Sequence, residues 1–243
     1  MGHAGDETSI TSSDRPSTER EADSRQRSVW LREGRPHRGH RPLTRARIVE
    51  EAVALLDEEG IERLTMRRLA ERLGTGSTTL YWHVATKDDV LDLTLDALFG
   101  EVPLPPRGDD WRADLRTLIL AWRTAMLRHP WAVSLLGRPL LGPNTLARVE
   151  FVQSTLLRAG LTGDDLAAAT WTLCSQVMGA ASTQAGFHLS PADRHAAHTH
   201  LLAHRNSYPT LAAHGYMHDE DCDTAFATGL DYLLDGITAT THR

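Results

Sequence analysis

The segment 64–87, LTMRRLAERLGTGSTTLYWHVATK, constrains the fold of this chain more than any other part. Its first half has the spacing of a short helix with one leucine-rich face, and Thr65 stands where an N-cap is expected. Gly74 is predicted to end that helix, and a second helix is predicted from Thr78 to His83. Two short helices joined by a glycine-containing turn, the second one polar, form a helix-turn-helix, which places a recognition helix in the major groove of DNA.

Charge is distributed unevenly along the 243 residues, whose net charge is −6. Residues 1–24 carry two arginines and six acidic residues, whereas residues 25–87 carry 12 arginines and one lysine against eight acidic residues. The remainder, 88–243, has 11 arginines and 18 acidic residues. The basic part therefore coincides with the helix-turn-helix, as expected for a module that docks on phosphates.

The first 40 residues are polar and are predicted to be a disordered, arginine-rich arm. Eight arginines between Arg25 and Arg47 would suit contact with a phosphate backbone or a minor groove. A solvated tail without a partner explains the same composition, so both interpretations stay open.

Helical periodicity continues through the rest of the chain, no strand pattern occurs, and the predicted fold is all-α. Residues 41–100 are interpreted as a helix-turn-helix DNA-binding domain, and the proline-rich stretch GEVPLPPRGD at 100–109 as a link. A larger helical domain, 108–243, is predicted to bind an effector and to form a dimer. The predicted helices besides the motif are Thr44–Glu59, a helix capped by Thr86 and running to Phe99, Trp111–Arg128, Pro130–Leu136, Thr145–Arg158, Asp164–Phe187 and Asp219–Ala239.

Several function classes find no support in the sequence. No run approaches the ~18 apolar residues of a spanning helix and no signal peptide is apparent, so a cytoplasmic protein without membrane contact is expected. Two cysteines, Cys174 and Cys222, are too few for a disulfide framework. No HExxH, GxSxG, P-loop or GxGxxG pattern occurs, and therefore neither an enzyme nor a cofactor is predicted.

The motifs LTxRxLAxxLG and TLYWHV, together with RHPW, GRPLLGPN and GLDYLLDGI further on, resemble the tetracycline-repressor branch of the TetR family of transcriptional regulators over about 200 residues. The resemblance implies a homodimer in which the long helix at 164–187 and the last helix form a four-helix bundle. It also implies a repressor that a small-molecule effector releases from a palindromic operator. An activator on the same scaffold is the alternative.

The resemblance implies a set of DNA-contacting residues: Arg67, Ser77, Thr78, Thr79, Tyr81, Trp82, His83 and Lys87. Arginine can bridge guanine O6 and N7, and threonine methyls can touch the thymine methyl. Lys87 is expected to meet a phosphate at a helix N-terminus, whereas Trp82 is expected to lie partly inside, between helices. Because Ser77 and Thr78 replace a Gln-Pro pair of the tetracycline repressors, a different operator is expected.

The predicted effector-binding domain differs from that of the tetracycline repressors at the positions that bind their metal ion. Leu135 stands near the position of their metal-binding histidine, and Ala181 to Thr183 offer no carboxylate, so magnesium-tetracycline is not the expected effector. An aromatic, largely uncharged metabolite or antibiotic is predicted instead. Ordinary core packing is the alternative for each residue of the predicted pocket: Trp122, Met126, Trp131, Asn144, Trp171, Gln176, Met178 and Phe187.

Seven of the 13 histidines fall in the segment 188–218. On a helix His200 and His204 would share one side, which permits a metal- or pH-responsive regulator or, as a rival class, an all-α metal-dependent enzyme. A mobile polar segment explains the histidines as well, and no metal site is predicted. The seven histidines are His188, His195, His198, His200, His204, His214 and His218.

A non-specific nucleoid binder that uses the arginine arm is a further rival interpretation of this chain.

Overall fold

The computed structural model describes residues 43–186, 190–215 and 222–241. Within these ranges the chain is helical and contains no strand, which confirms the all-α prediction. The α-helices are α1 Arg45–Glu59, α2 Met66–Arg72, α3 Ser77–Tyr81, α4 Lys87–Gly100, α5 Trp111–Arg128, α6 Pro143–Arg158, α7 Gly163–Gly186, α8 Pro191–Ala203, α9 Pro209–His214 and α10 Cys222–Thr241, with short 3-10 helices at Ile61–Arg63 and Pro130–Leu135.

Threonine side chains cap the N-termini of three of the first four α-helices. Thr44 accepts from the amide of Arg47, Thr65 from that of Arg68 and Thr86 from that of Asp89, at 3.0–3.3 Å. The capping positions predicted at Thr65 and Thr86 are thus confirmed. Each cap satisfies an amide that the helix itself leaves without a partner.

Two glycines end helices in this part of the chain. Gly60 follows α1 with φ 77°, and Gly74 follows α2 with φ 63°. Both values lie in the left-handed region that glycine enters without a steric penalty. The tight turn after α2 therefore depends on Gly74.

One continuous apolar core joins α1–α4 to the helices that follow. Within α4 the buried side chains include Leu95, Leu98 and Phe99, and the Phe99 ring meets the ring of Trp122 from α5 edge to face at 5.3 Å. Phe226 and Leu230 of α10 belong to the same core. The helix that follows the helix-turn-helix is consequently buried between both parts of the molecule.

Polar groups connect α4 and α6 in both directions. The buried Asp96 carboxylate of α4 accepts from the amides of Asn144 and Thr145 in the first turn of α6, at 3.2 and 2.9 Å. Arg148 of α6 donates to the carbonyl oxygens of Gly100 and Val102, at 3.1 and 2.5 Å. Each helix thus satisfies unpaired backbone groups of the other.

The structure differs from the predicted elements at several ends. α6 begins at Pro143, two residues early, because proline suits the first turn of a helix. The polar segment after residue 189 contains α8 and α9, which the hydrophobic periodicity does not predict. Residues 1–40 and Phe187 lie outside the described residues. No helix in the described ranges is long and apolar enough to span a bilayer.

Candidate nucleic-acid interface

The helix-turn-helix is held together by a small set of aliphatic contacts. Leu69 of α2, Leu80 of α3 and Val84 after α3 are buried. Because α3 has only five residues and buries Leu80 alone, its other side chains remain available at the surface. The core thus fixes the orientation of α3 through Leu80 and leaves the rest of the helix surface free of core contacts.

The residues predicted to contact DNA lie close together along the chain in and around α3. Thr78 and Thr79 are exposed, and Tyr81 keeps 51% of its surface accessible. Ser77 and His83 are half-buried. The short helix therefore presents hydroxyl and phenol groups to solvent, and these groups can donate to phosphates or to base edges.

Trp82 requires a correction, because it was expected to lie partly inside between helices. Its side chain is 64% exposed in the structure. Trp82 is the C-cap residue directly after α3, and the neighbouring interior positions are taken by Leu80 and Val84. A large exposed indole beside the polar face of α3 adds a flat apolar surface with one N–H donor to this region.

Arginines in α2 have two different roles. Among the residues that the structure describes, Arg67 pairs only with Glu71, at 2.9 Å, and its side chain is 86% exposed. Exposed pairs of this kind contribute little to stability, so Arg67 can exchange its partner for a DNA group at small cost. Arg68 instead contacts Glu59 at 2.7 Å, and Arg72 contacts Glu51 at 2.5 Å, which ties α2 to α1.

Arg72 also makes a bidentate contact with Glu58, in which Nη1 and Nη2 donate to the two carboxylate oxygens. This hydrogen bond is the main cause that lowers the pKa of the exposed Glu58 carboxyl, and it raises the pKa of Arg72 in return. Arg72 thus stabilises the packing of α2 on α1. The spacing of the leucines in the sequence does not reveal that role.

Two further basic side chains flank α3. The ammonium group of Lys87, half-buried in the first turn of α4, donates to the carbonyl oxygen of Ile61 at 3.1 Å. Arg45 in the first turn of α1 donates to the carbonyl oxygen of His83 at 3.3 Å. Arg45 was not among the predicted DNA contacts, although it belongs to the arginine-rich run from Arg25 to Arg47.

The predicted effector-pocket residues do not form one group. Trp122, Met126 and Trp131 are buried, and Gln176 and Met178 are half-buried. The Trp131 indole donates to Asp57 of α1 at 2.6 Å, so that this side chain connects the two parts of the molecule.

Two other predicted pocket residues are placed differently. The Asn144 amide donates to Asp96 at 2.9 Å and thereby supports the link between α4 and α6. Trp171 is 74% exposed on α7 and does not line the interior of a single chain, which corrects that prediction. Helical spacing alone could not show which face of α7 the core would cover.

The histidine-rich segment forms α8 and the residues around it. The rings of His200 and His204 are 4.2 Å apart, and both side chains are exposed. Across the described ranges, no group of three or more His, Cys, Asp or Glu side chains could hold a metal ion. His188 and His218 lie outside the described residues.

Comparison with known proteins decides the family. Residues 102–241 match the model described as "Tetracyclin repressor-like, C-terminal domain", and residues 48–93 match "Bacterial regulatory proteins, tetR family". The chain belongs to the TetR family. As a TetR-family protein it is a helix-turn-helix transcriptional regulator, and the predicted family and function are confirmed.

Among the relatives of this TetR-family chain is an HTH-type transcriptional regulator of Saccharopolyspora erythraea, 44% identical over 217 residues, which cover 88% of this chain and 92% of the relative. The transcriptional repressor DrrR1 of Streptomyces coeruleorubidus is 39% identical over 160 residues, 64% of this chain and 59% of DrrR1. Streptomyces coelicolor ActR in complex with actinorhodin matches with TM-score 0.74 and 30% identity, covering 83% of this chain and all of ActR, 100%.

Proposed function

We propose that this regulator is a homodimeric repressor that leaves a palindromic operator when an aromatic small molecule binds its larger domain. The observation that carries the proposal is the exposed polar face of α3, with Thr78, Thr79 and Tyr81 accessible. A dimer would present two such faces about one DNA turn, roughly 34–36 Å, apart. Acting on chromosomal DNA implies a cytoplasmic location.

The proposed dimer uses the outer faces of α7 and α10. Trp171 of α7 and Tyr232 of α10 are 74% and 71% exposed, and these two helices also pack on each other within the chain. Large exposed aromatic residues are enriched at subunit interfaces. The arrangement supports a bundle of four helices, two from each copy.

The proposed division of labour follows the expected domain ranges. Residues 41–100 would bind DNA and 108–243 would bind the effector and the second copy. Trp131 and the buried His129 link the two parts, because Asp57 of α1 accepts from the Trp131 indole and lies 2.7 Å from His129 Nδ1. His129 Nε2 in turn lies 3.2 Å from the Glu101 carboxylate. A movement of the C-terminal end of α5 would therefore change the contacts of Asp57 and could shift α1.

Selection of bound fragments from random DNA tests the proposal. The purified chain is expected to enrich one palindrome and to retain it at raised salt, whereas a phosphate-driven binder would release all DNA together. A screen of aromatic compounds should then identify molecules that release the fragment, and a reporter gene behind it would give the sign of regulation. A monomer that enriches no sequence would contradict the proposal.

A further inference from the structure

Two neighbouring residues of α5 carry buried hydrogen-bond donors that have no partner in the described chain. These donors are the indole Nε1–H of Trp122 and the Nε–H of Arg123. Trp122 is 1% exposed and Arg123 is 6% exposed. Buried polar groups are nearly always paired, because an unpaired donor loses water and gains nothing in return. Each of these two donors would gain from an acceptor.

The rest of the Arg123 guanidinium is firmly held. Nη1 donates to Asp223 of α10 at 2.7 Å, Nη2 donates to Gln184 of α7, and the group lies over the Phe226 ring at 4.9 Å. These contacts fix the guanidinium plane and hence the direction of the free Nε–H. A donor fixed in this way is prepared for a ligand atom before the ligand arrives.

The charge of Arg123 is only partly balanced. Its carboxylate partner, Asp223, has a side chain that is 83% exposed, so solvent screens the negative charge, whereas 7% of the Arg123 side chain is exposed. The buried Arg123 guanidinium therefore places a positive charge next to the Phe226 ring. An anionic oxygen on a flat aromatic molecule matches both features.

We infer that Arg123 binds an anionic oxygen, a carboxylate or phenolate, of an aromatic effector, and that Trp122 donates to a second oxygen of the same molecule. The inference rests on the proposed function and changes the expected effector from a largely uncharged molecule to an acid. Trp122 also meets Phe99 of α4 at 5.3 Å. A ligand oxygen bound by Trp122 would therefore lie next to α4, the helix that follows the helix-turn-helix.

Matched pairs of an aromatic acid and its neutral amide test the inference. The probes are 1-hydroxy-2-naphthoate, 2-naphthoate and salicylate with their carboxamides, and dissociation constants are measured by calorimetry without DNA. At least one acid is expected to bind the wild type tenfold or more tightly than its amide. R123Q should weaken that acid about 10- to 100-fold, the range of a lost charge-assisted hydrogen bond, and leave the amide unchanged.

Asp223→Asn separates a ligand-binding Arg123 from a purely structural one. Asparagine can still accept from Nη1 but removes the competing negative charge, so acid binding should strengthen a few-fold while the fold is kept. If Arg123 only ties α5 to α7 and α10, the substitution would leave the affinity unchanged or lower it. W122F, which keeps a ring but loses the donor, should weaken the acid and the amide alike, about five- to tenfold.

Circular dichroism and thermal unfolding without ligand check that each variant is folded. Equal binding of acid and amide across all three pairs would overturn the inference, and so would unchanged acid affinity in R123Q or no gain in Asp223→Asn. Because calorimetry needs no DNA, these results are independent of operator selection. Failure of the unliganded wild type to select an operator would instead count against the proposed function.

Discussion

Tyr81 and Lys87 face the surface of the DNA-binding part in different ways. Tyr81 is half exposed, whereas the Lys87 ammonium group is bonded to the carbonyl oxygen of Ile61 in the DNA-free chain. One hydrogen bond of this kind contributes only about 1 kcal/mol, so Lys87 can turn to a phosphate without unfolding its surroundings. The fold therefore depends little on either side chain, and we propose that both bind DNA.

Replacing Lys87 or Tyr81 by alanine should weaken operator binding about tenfold or more while the dimer stays folded. For Lys87→Ala the slope of log K against log salt should also fall by about one, because one phosphate contact is lost. Fluorescence anisotropy at several salt concentrations measures both effects. Arg205→Ala, an exposed charge after α8, serves as the control. Unchanged affinity in both variants would count against α3 as the recognition helix.

The thiol of Cys174 is predicted to resist alkylation. Burial raises its pKa from 9.0 to about 11, so at pH 8 the folded chain holds about a hundredfold less thiolate than the unfolded chain. Because the folded pKa is raised, the stability linked to the neutral thiol is complete below pH 9 and declines as the pH rises towards 11. Mass spectrometry of a Cys222→Ser variant with iodoacetamide, with and without urea, measures the ratio. Equal rates in both states would refute the assignment.

At the scale of the element, α4 and α6 cap each other through Asp96 and Arg148. Close approach at Gly142 makes this possible, since a Cβ there would lie 2.1 Å from the nearest carboxylate oxygen of Asp96. The backbone just before α6 must therefore be free of a side chain. Gly142 is required because a side chain has no room there, whereas its backbone φ of −70° would suit any residue.

Gly142→Ala should lower the free energy of unfolding by about 2–4 kcal/mol, because Asp96 must move away from the donors of Asn144 and Thr145 and leave them unpaired. Gly137→Ala is the matched control, as a Cβ at that exposed position meets nothing within 4 Å. The control should change stability by less than about 0.5 kcal/mol. Urea denaturation of both variants gives the comparison, and equal midpoints would refute the role of Gly142.

Local chemistry explains which elements could be predicted from the sequence. The caps at Thr65 and Thr86 and the stop at Gly74 depend on residues within three or four positions, so the pattern contains them. The partner of Asn144 is Asp96, 48 positions away, and no local rule relates the two. Exposure of Trp82 and Trp171 likewise depends on which face other helices cover.

At the scale of the whole molecule, the proposed dimer depends on the outer faces of α7 and α10. The pair Trp171→Glu and Tyr232→Glu should convert the proposed dimer into a monomer and reduce operator affinity more than tenfold, because two acidic residues per copy would be buried against each other. Light scattering after size exclusion gives the mass. Leu146→Glu on α6, where the leucine is 49% exposed, is the matched control and should remain dimeric. A dimeric double variant would exclude this interface.

The burial of α4 on both sides has a practical consequence for engineering. Leu95, Leu98 and Phe99 share one core with the later helices. Transfer of residues 43–100 to another regulator would therefore expose apolar side chains on both separated parts. The proposed base contacts Thr78 and Thr79 are better sites for changing the operator preference, because their exposed side chains can vary without disturbing the interior. Such changes would leave the proposed effector-binding part as it is.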